Sequence, residues 1–104
     1  MPKPPPLSDE QRRQALAKAA EARKVRARVK EQLRSGSLDL EGLLKRSDSE
    51  EMIAKMKVLS VLESLPRLGK VKARRMMQEI GISESRRLRG LGVKQRSELL
   101  SRFS

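Results

Sequence analysis

Residues 65–92 read LPRLGKVKARRMMQEIGISESRRLRGLG, and the rest of the chain falls into place once this stretch is parsed. Pro66 disfavours helical geometry at Leu65 and so ends the helix before it. A new helical pattern runs from about Lys70 to Ile80, with Val71, Ala73, Met76, Met77 and Ile80 available for packing. Gly81 stops it. Ile82-Ser83-Glu84-Ser85 makes a further turn, with Ser83 or Ser85 as a local cap. Arg86-Arg87-Leu88-Arg89-Gly90-Leu91-Gly92 then leads into a last helix, Val93 to Phe103, which is expected to bury Leu99, Leu100 and Phe103. The order is turn, helix, two turns, helix.

The charges of this stretch are one-sided. Arg67, Lys70, Lys72, Arg74, Arg75, Arg86, Arg87 and Arg89 face only Glu79 and Glu84. The first amides of a helix have no internal partner and lie at the positive end of its dipole, so a helix start holds anions readily. Gly69 lets backbone turn tightly and a phosphate come close. Lys70 and Lys72 add point charges there, and Arg74 and Arg75 extend the patch. The glycine pair at 90 and 92 is expected to free two backbone positions before a second such helix start. Leu88 and Leu91 point inward, and the arginines point out. Two helix starts of this kind would sit on phosphates flanking a groove of a nucleic acid, with Arg86, Arg87 and Arg89 between them and able to enter a minor groove. The predicted contact set is Arg67, Gly69, Lys70, Lys72, Arg74, Arg86, Arg87, Arg89, Gly90, Leu91 and Gly92.

Upstream, Ser8 and Gln11 have capping-box spacing, and Asp9 and Glu10 suit the positive end of a helix. That helix should run to Leu33 or Arg34 and stop at Ser35-Gly36. Its apolar face is thin and alanine-rich, with Ala15, Ala19, Ala22, Val29 and Leu33 aligned and Val25 beside them. Arg12, Arg13, Arg23, Arg26 and Lys30 make it a candidate second nucleic-acid surface. Ser37 or Asp39 caps a short helix, Leu40 to Arg46, which buries Leu40, Leu43 and Leu44. Ser47-Asp48-Ser49 caps a third, Glu50 to about Met56, with Met52, Ile53 and Met56 inward. Lys57 marks a joint, and Val58, Val61, Leu62 and Leu65 repeat at helical spacing. No alternating strand pattern stands out, so the fold class is all-α. The chain divides into a proline-rich tail at 1–7, a long basic helix at 8–36 and a compact helical domain at 37–104, with the two-turn unit at 65–103.

Composition narrows the function. The 104 residues carry a net charge of +12, and Phe103 is their one aromatic residue. Residues 1–52 are net +3 and residues 53–104 net +9, so the second half faces a polyanion. There is no Cys and no His, which excludes disulfides, Cys/His zinc sites and Cys- or His-based catalysis; no cofactor or metal is expected. No apolar run approaches the roughly 20 residues of a membrane helix, and the N-terminus lacks an apolar signal core. A cytoplasmic, nucleoid location is expected, with no membrane partner. Single-strand binders and sequence-specific RNA readers stack bases on aromatic rings, and this chain has no Tyr, no Trp and one Phe near its end. Double-stranded DNA, held mostly through phosphate with low sequence specificity, is the preferred partner.

The stretches EMIAKMKV at 51–58, LESLPRLGKVKA at 62–73 and IGISESRRLRGLG at 80–92, with the closing helix, resemble the mycobacterial-type integration host factors of actinobacteria. The resemblance implies a small, mostly monomeric nucleoid-associated protein with an S13-like helix–two-turns–helix grip, which bends and compacts duplex DNA and supports phage integrase complexes. It places the grip at Gly69, Lys70 and Lys72 and at Arg86, Arg87 and Arg89 with Gly90-Leu91-Gly92. Arg67 stands where family members often carry glycine. Two rivals remain open. A ribosomal or RNA-binding module carries a similar hairpin. DNA glycosylases and lyases also use this unit, and some begin Met-Pro, as this chain does at Met1-Pro2; but Lys3 stands where they place a carboxylate, and there is no room for a catalytic domain. The chain is read as no enzyme.

Overall fold

The computed structural model describes residues 8–103. The expectations for residues 1–7, including Pro2 and Lys3, lie outside them. The described chain is all-helical, as the sequence predicts: α1 (Asp9–Ser35), α2 (Leu40–Ser47), α3 (Glu51–Ala54), α4 (Val58–Ser64), α5 (Gly69–Ile80), a 3-10 turn at Leu88–Gly90, and α6 (Val93–Ser101).

The caps explain most of the boundaries. Ser8 Oγ accepts from the Gln11 amide at 3.1 Å, and Gln11 Oε1 accepts from the Ser8 amide at 3.0 Å, closing the expected capping box. Gly36 ends α1 in the left-handed region at φ +80°. Asp39 Oδ1 accepts from the Gly42 amide at 2.8 Å and starts α2. Gly81, at φ +87°, closes α5: its amide and that of Ile82 both donate to the Met77 carbonyl, at 2.9 and 2.8 Å. The third helix is shorter than its apolar spacing suggests. Glu50 precedes it with no side-chain cap, because its carboxylate pairs with Arg46, at 2.8 Å to Nε and 3.2 Å to Nη2.

The core is aliphatic, as the composition requires. Leu33, Leu43, Ile53, Val61, Leu62 and Leu99 are fully buried, with Val29, Leu44, Met56, Val58 and Met77 beside them. Ser64, the buried polar residue among those described, donates its hydroxyl to the Ser60 carbonyl at 2.9 Å. α1 enters this core only through its last turns. Ala15 and Ala19, on its thin alanine-rich face, are exposed, and Leu16 is 61% exposed. A 27-residue helix is about 40 Å long. Its free half stretches the molecule to 51 × 33 × 25 Å with a radius of gyration of 16.3 Å, against about 13 Å for a compact chain of this size.

Three packing expectations are corrected. Val71 is 74% exposed, since Ala73 and Met77 set the buried stripe of α5 and Val71 lies off it. α6 ends at Ser101, leaving Leu100 half-buried and Phe103 42% exposed beyond the helix. Finally, one strand-like pairing exists where none was expected. Lys57 and Arg87 form an antiparallel bridge: the Val58 amide donates to the Arg86 carbonyl and the Leu88 amide to the Met56 carbonyl, each at 2.9 Å. This bridge fastens the arginine turn to the α3–α4 joint.

Candidate nucleic-acid interface

The first turn is held open by two departures from ordinary backbone, either side of Leu68, which is itself in the right-handed helical region. Arg67 has φ +70° and Gly69 has φ +70°. Glycine takes this region freely, whereas an arginine there costs energy. The Leu68 amide donates to the Leu65 carbonyl at 3.4 Å, a long contact that only loosely closes the turn. α5 then begins without any side-chain cap. Its first amides, at the positive end of the dipole, are therefore left for an outside acceptor. Arg67, Lys70 and Lys72 are exposed around that start. Among the described residues no ion pair engages them, or Arg75. Arg74 differs, because its Nε lies 3.4 Å from Glu84 Oε1.

The second turn is more ordered than its sequence suggests. The expected side-chain cap at Ser83 or Ser85 does not form; the Arg86 amide donates to the Ser83 backbone carbonyl at 3.0 Å instead. The two glycines at 90 and 92 do not use their conformational freedom either, since neither has a positive φ. Gly90 matters for space: a Cβ there would stand 2.9 Å from Arg86 Cδ. Arg86 folds over that gap and donates from Nη1 to the Gly90 carbonyl at 2.7 Å. Gly92 precedes α6, and its amide donates to Gln95 Oε1 at 3.1 Å. Gln95 Nε2 in turn donates to the Gly81 carbonyl at 3.1 Å. The start of α6 is thereby stapled to the end of α5, roughly 18 Å of helix away from the start of α5. Leu88 is buried and Leu91 half-buried, as expected.

The three arginines of this turn do not form one set. Arg86 is tied to Gly90. Arg87, one step along the bridged segment from buried Leu88, turns the other way, and its Nη1 donates to the Lys55 carbonyl at 2.6 Å. Arg89 remains exposed; its charge, with that of Lys18, adds to the hydrogen bond and charge of Lys55 in holding the Glu51 carboxyl below its usual range.

The basic residues of α1 are likewise divided. Arg12 and Arg13 sit on the projecting half. Arg23, Arg26 and Lys30 form one wall of a groove of about 640 Å³, whose other wall is Lys55, Lys57 and Arg87 and whose remaining lining is Met56 and Ser60. Lys55 and Lys57 escaped the sequence-based selection. Their sequence signal is slight: exposed Lys55 and Lys57 flank buried Met56, with Lys55 still in helical backbone at φ −83°, ψ −7° and Lys57 extended at φ −74°, ψ 137°. The described residues hold no group of carboxylates that suits a metal ion, and none of their helices is long and apolar enough to cross a membrane.

Comparison with known proteins places this arrangement in a class. Residues 33–103 match the S13-like H2TH domain family, so the two-turn unit and the small helices before it are one recognised fold. The chain is 52% identical to integration host factor of Mycobacterium tuberculosis over 99 residues, which cover 95% of this chain and 94% of the relative. It is 50% identical to integration host factor of Streptomyces coelicolor, over 95% of this chain and 92% of that one. This chain belongs to that family, the integration host factors of mycobacteria and Streptomyces, whose members are named as host factors and not as enzymes. In three dimensions it is similar to sIHF solved bound to an 8-bp palindromic DNA. The TM-score is 0.82 at 46% identity, and the match covers 85% of this chain and 99% of the other.

Proposed function

We propose that this chain is an architectural protein of double-stranded DNA. The observation that carries the reading is the start of α5: a helix N-terminus with no side-chain cap, opened by left-handed backbone at 67 and 69 and surrounded by exposed Arg67, Lys70 and Lys72, which no ion pair engages among the described residues. A phosphate oxygen meets the free amides while the side chains neutralise neighbouring phosphates. Arg86 and Arg89, with the backbone of Gly90-Leu91-Gly92 and the start of α6, supply a second grip about one helix length away. Arg74 joins when it exchanges Glu84 for phosphate. Likeness to a DNA-bound relative supports duplex DNA over structured RNA, and the scarcity of aromatic rings, with Phe103 alone, supports phosphate contact over base reading.

Two grips separated by a rigid helix hold a duplex at two points, and the basic half of α1 offers further contact through Arg12, Arg13, Arg23 and Arg26. Bending a short site costs roughly 1–6 kcal/mol, which several phosphate contacts offset. Bending and compaction, assistance to phage integrase complexes and action as a monomer with a compact domain at 37–104 complete the proposal. The test is the salt dependence of duplex affinity. With about six phosphates engaged, affinity should fall on the order of a thousandfold between 50 and 200 mM salt. A flat response, or a preference for structured RNA at matched salt, contradicts the reading.

A further inference from the structure

The groove between α1 and the α3–α4 joint has a composition that the duplex grip does not account for. Arg23, Arg26, Lys30, Lys55, Lys57 and Arg87 surround about 640 Å³, and no acidic residue lines it. Lys55 keeps a carboxylate partner, Glu51 at 3.1 Å, outside this lining. The other five cations have no ion-pair partner among the described residues. Their mutual repulsion is a standing cost, and an anion between the walls relieves it. The site is also built. Met56 is fully buried beneath it, half-buried Ser60 adds a hydroxyl, and Arg87 is held by the Lys55 carbonyl at 2.6 Å. A guanidinium has five N–H donors, so one such bond orients Arg87 and leaves the others for a ligand.

From this we infer that the groove is a binding site for a compact oligophosphate. Its volume is that of small-molecule pockets, about 300–1,000 Å³. A double helix, whose major groove alone is about 12 Å wide, does not enter it. No aromatic ring lines it, so phosphates and not a base carry the recognition. Two or three consecutive phosphates present their charges close together, which a lone sulfate does not. The inference stands apart from the duplex reading and survives its failure. If both hold, the two ligands share Arg23 and Arg26, and an occupied groove withdraws those two cations from the contact that α1 offers to DNA.

Isothermal titration of the whole chain, at matched ionic strength, compares inorganic tripolyphosphate, GTP, sulfate and a four-residue oligothymidylate. Tripolyphosphate is expected to bind one site about tenfold or more tighter than sulfate, the step a single extra charge-assisted contact gives. Equal binding of GTP and tripolyphosphate identifies an inorganic ligand class; tighter GTP identifies a nucleoside oligophosphate. Ser60→Glu keeps every cation and sets a carboxylate among them, and should weaken tripolyphosphate about tenfold or more. Lys57→Met, at an exposed side chain that leaves the backbone bridge intact, should weaken it severalfold and guards against misfolding of the first variant. Binding no tighter than sulfate, or unchanged in both variants, overturns the inference. So does tighter binding of the oligothymidylate, which would make the groove a track for a nucleic-acid strand.

Discussion

At Arg67 stability and binding pull in opposite directions. Its left-handed backbone costs on the order of 1–2 kcal/mol relative to a residue at ease there, and its exposed guanidinium adds a cation beside the uncapped start of α5. Arg67→Gly should therefore raise stability by about 1 kcal/mol or less, once glycine's own entropy of roughly 0.5–1 kcal/mol is subtracted. It should also reduce the salt dependence of duplex binding by about one phosphate. Thermal unfolding and a salt titration of the variant check both; a lower melting temperature, or an unchanged slope, contradicts this account of the turn. The sequence showed which cations crowd the two turns but not their partners. Arg86 folding over Gly90, Arg87 reaching Lys55 and Arg74 meeting Glu84 depend on backbone directions that residue types do not encode. Lys55 and Lys57 were passed over because two lysines either side of one methionine are too slight a signal to stand out in a helical chain.

The helices were legible where local chemistry sets them. Ser8 with Gln11, Asp39, Pro66, Gly36 and Gly81 each act within a few residues, and the boundaries they predict hold. The expectations that failed depend on what a side chain or backbone segment meets in the fold: the Glu50–Arg46 pair before α3, the exposure of Val71 and Phe103, and the bridge between Lys57 and Arg87. α1 shows the division within one element. Leu33 is fully buried, so Leu33→Ala should cost about 2–5 kcal/mol. Leu16, on the projecting half, should tolerate alanine within about 0.5 kcal/mol. Chemical denaturation of the pair measures this, and comparable losses would mean that α1 packs along its whole length. The clamp between α6 and α2 gives a pH dependence. Arg96 donates to both Asp48 oxygens, at 2.8 and 3.0 Å, and this holds the Asp48 carboxyl below its usual value. A depressed carboxylate stabilises the fold above its ordinary pKa and loses that contribution as pH falls through the depressed one. Asp48→Asn should flatten the loss of stability on the acid side, below about pH 4. An unchanged acid limb would show that the clamp carries none of it.

As a whole, the molecule is a small aliphatic core that holds cationic features facing different neighbours. The core fixes α5 and α6 so that their starts lie about one helix length apart. The joint bridge fixes the arginine turn, and α1 closes a basic groove on one side and projects on the other. This division was legible in the sequence only in part: the two-turn grip and a second basic surface on the first helix stood out, but both suggested the same nucleic-acid partner and neither showed the groove. The core itself was legible, because the apolar residues of the short helices repeat at helical spacing and few others compete for burial. The most direct test of the duplex grip is a titration of the isotopically labelled chain with a short DNA duplex, followed amide by amide by NMR. The account predicts the largest shifts at Gly69, Lys70, Val71 and Lys72 and from Leu88 to Lys94. Shifts confined to α1, or to the face around Asp39 and Phe103, would contradict it.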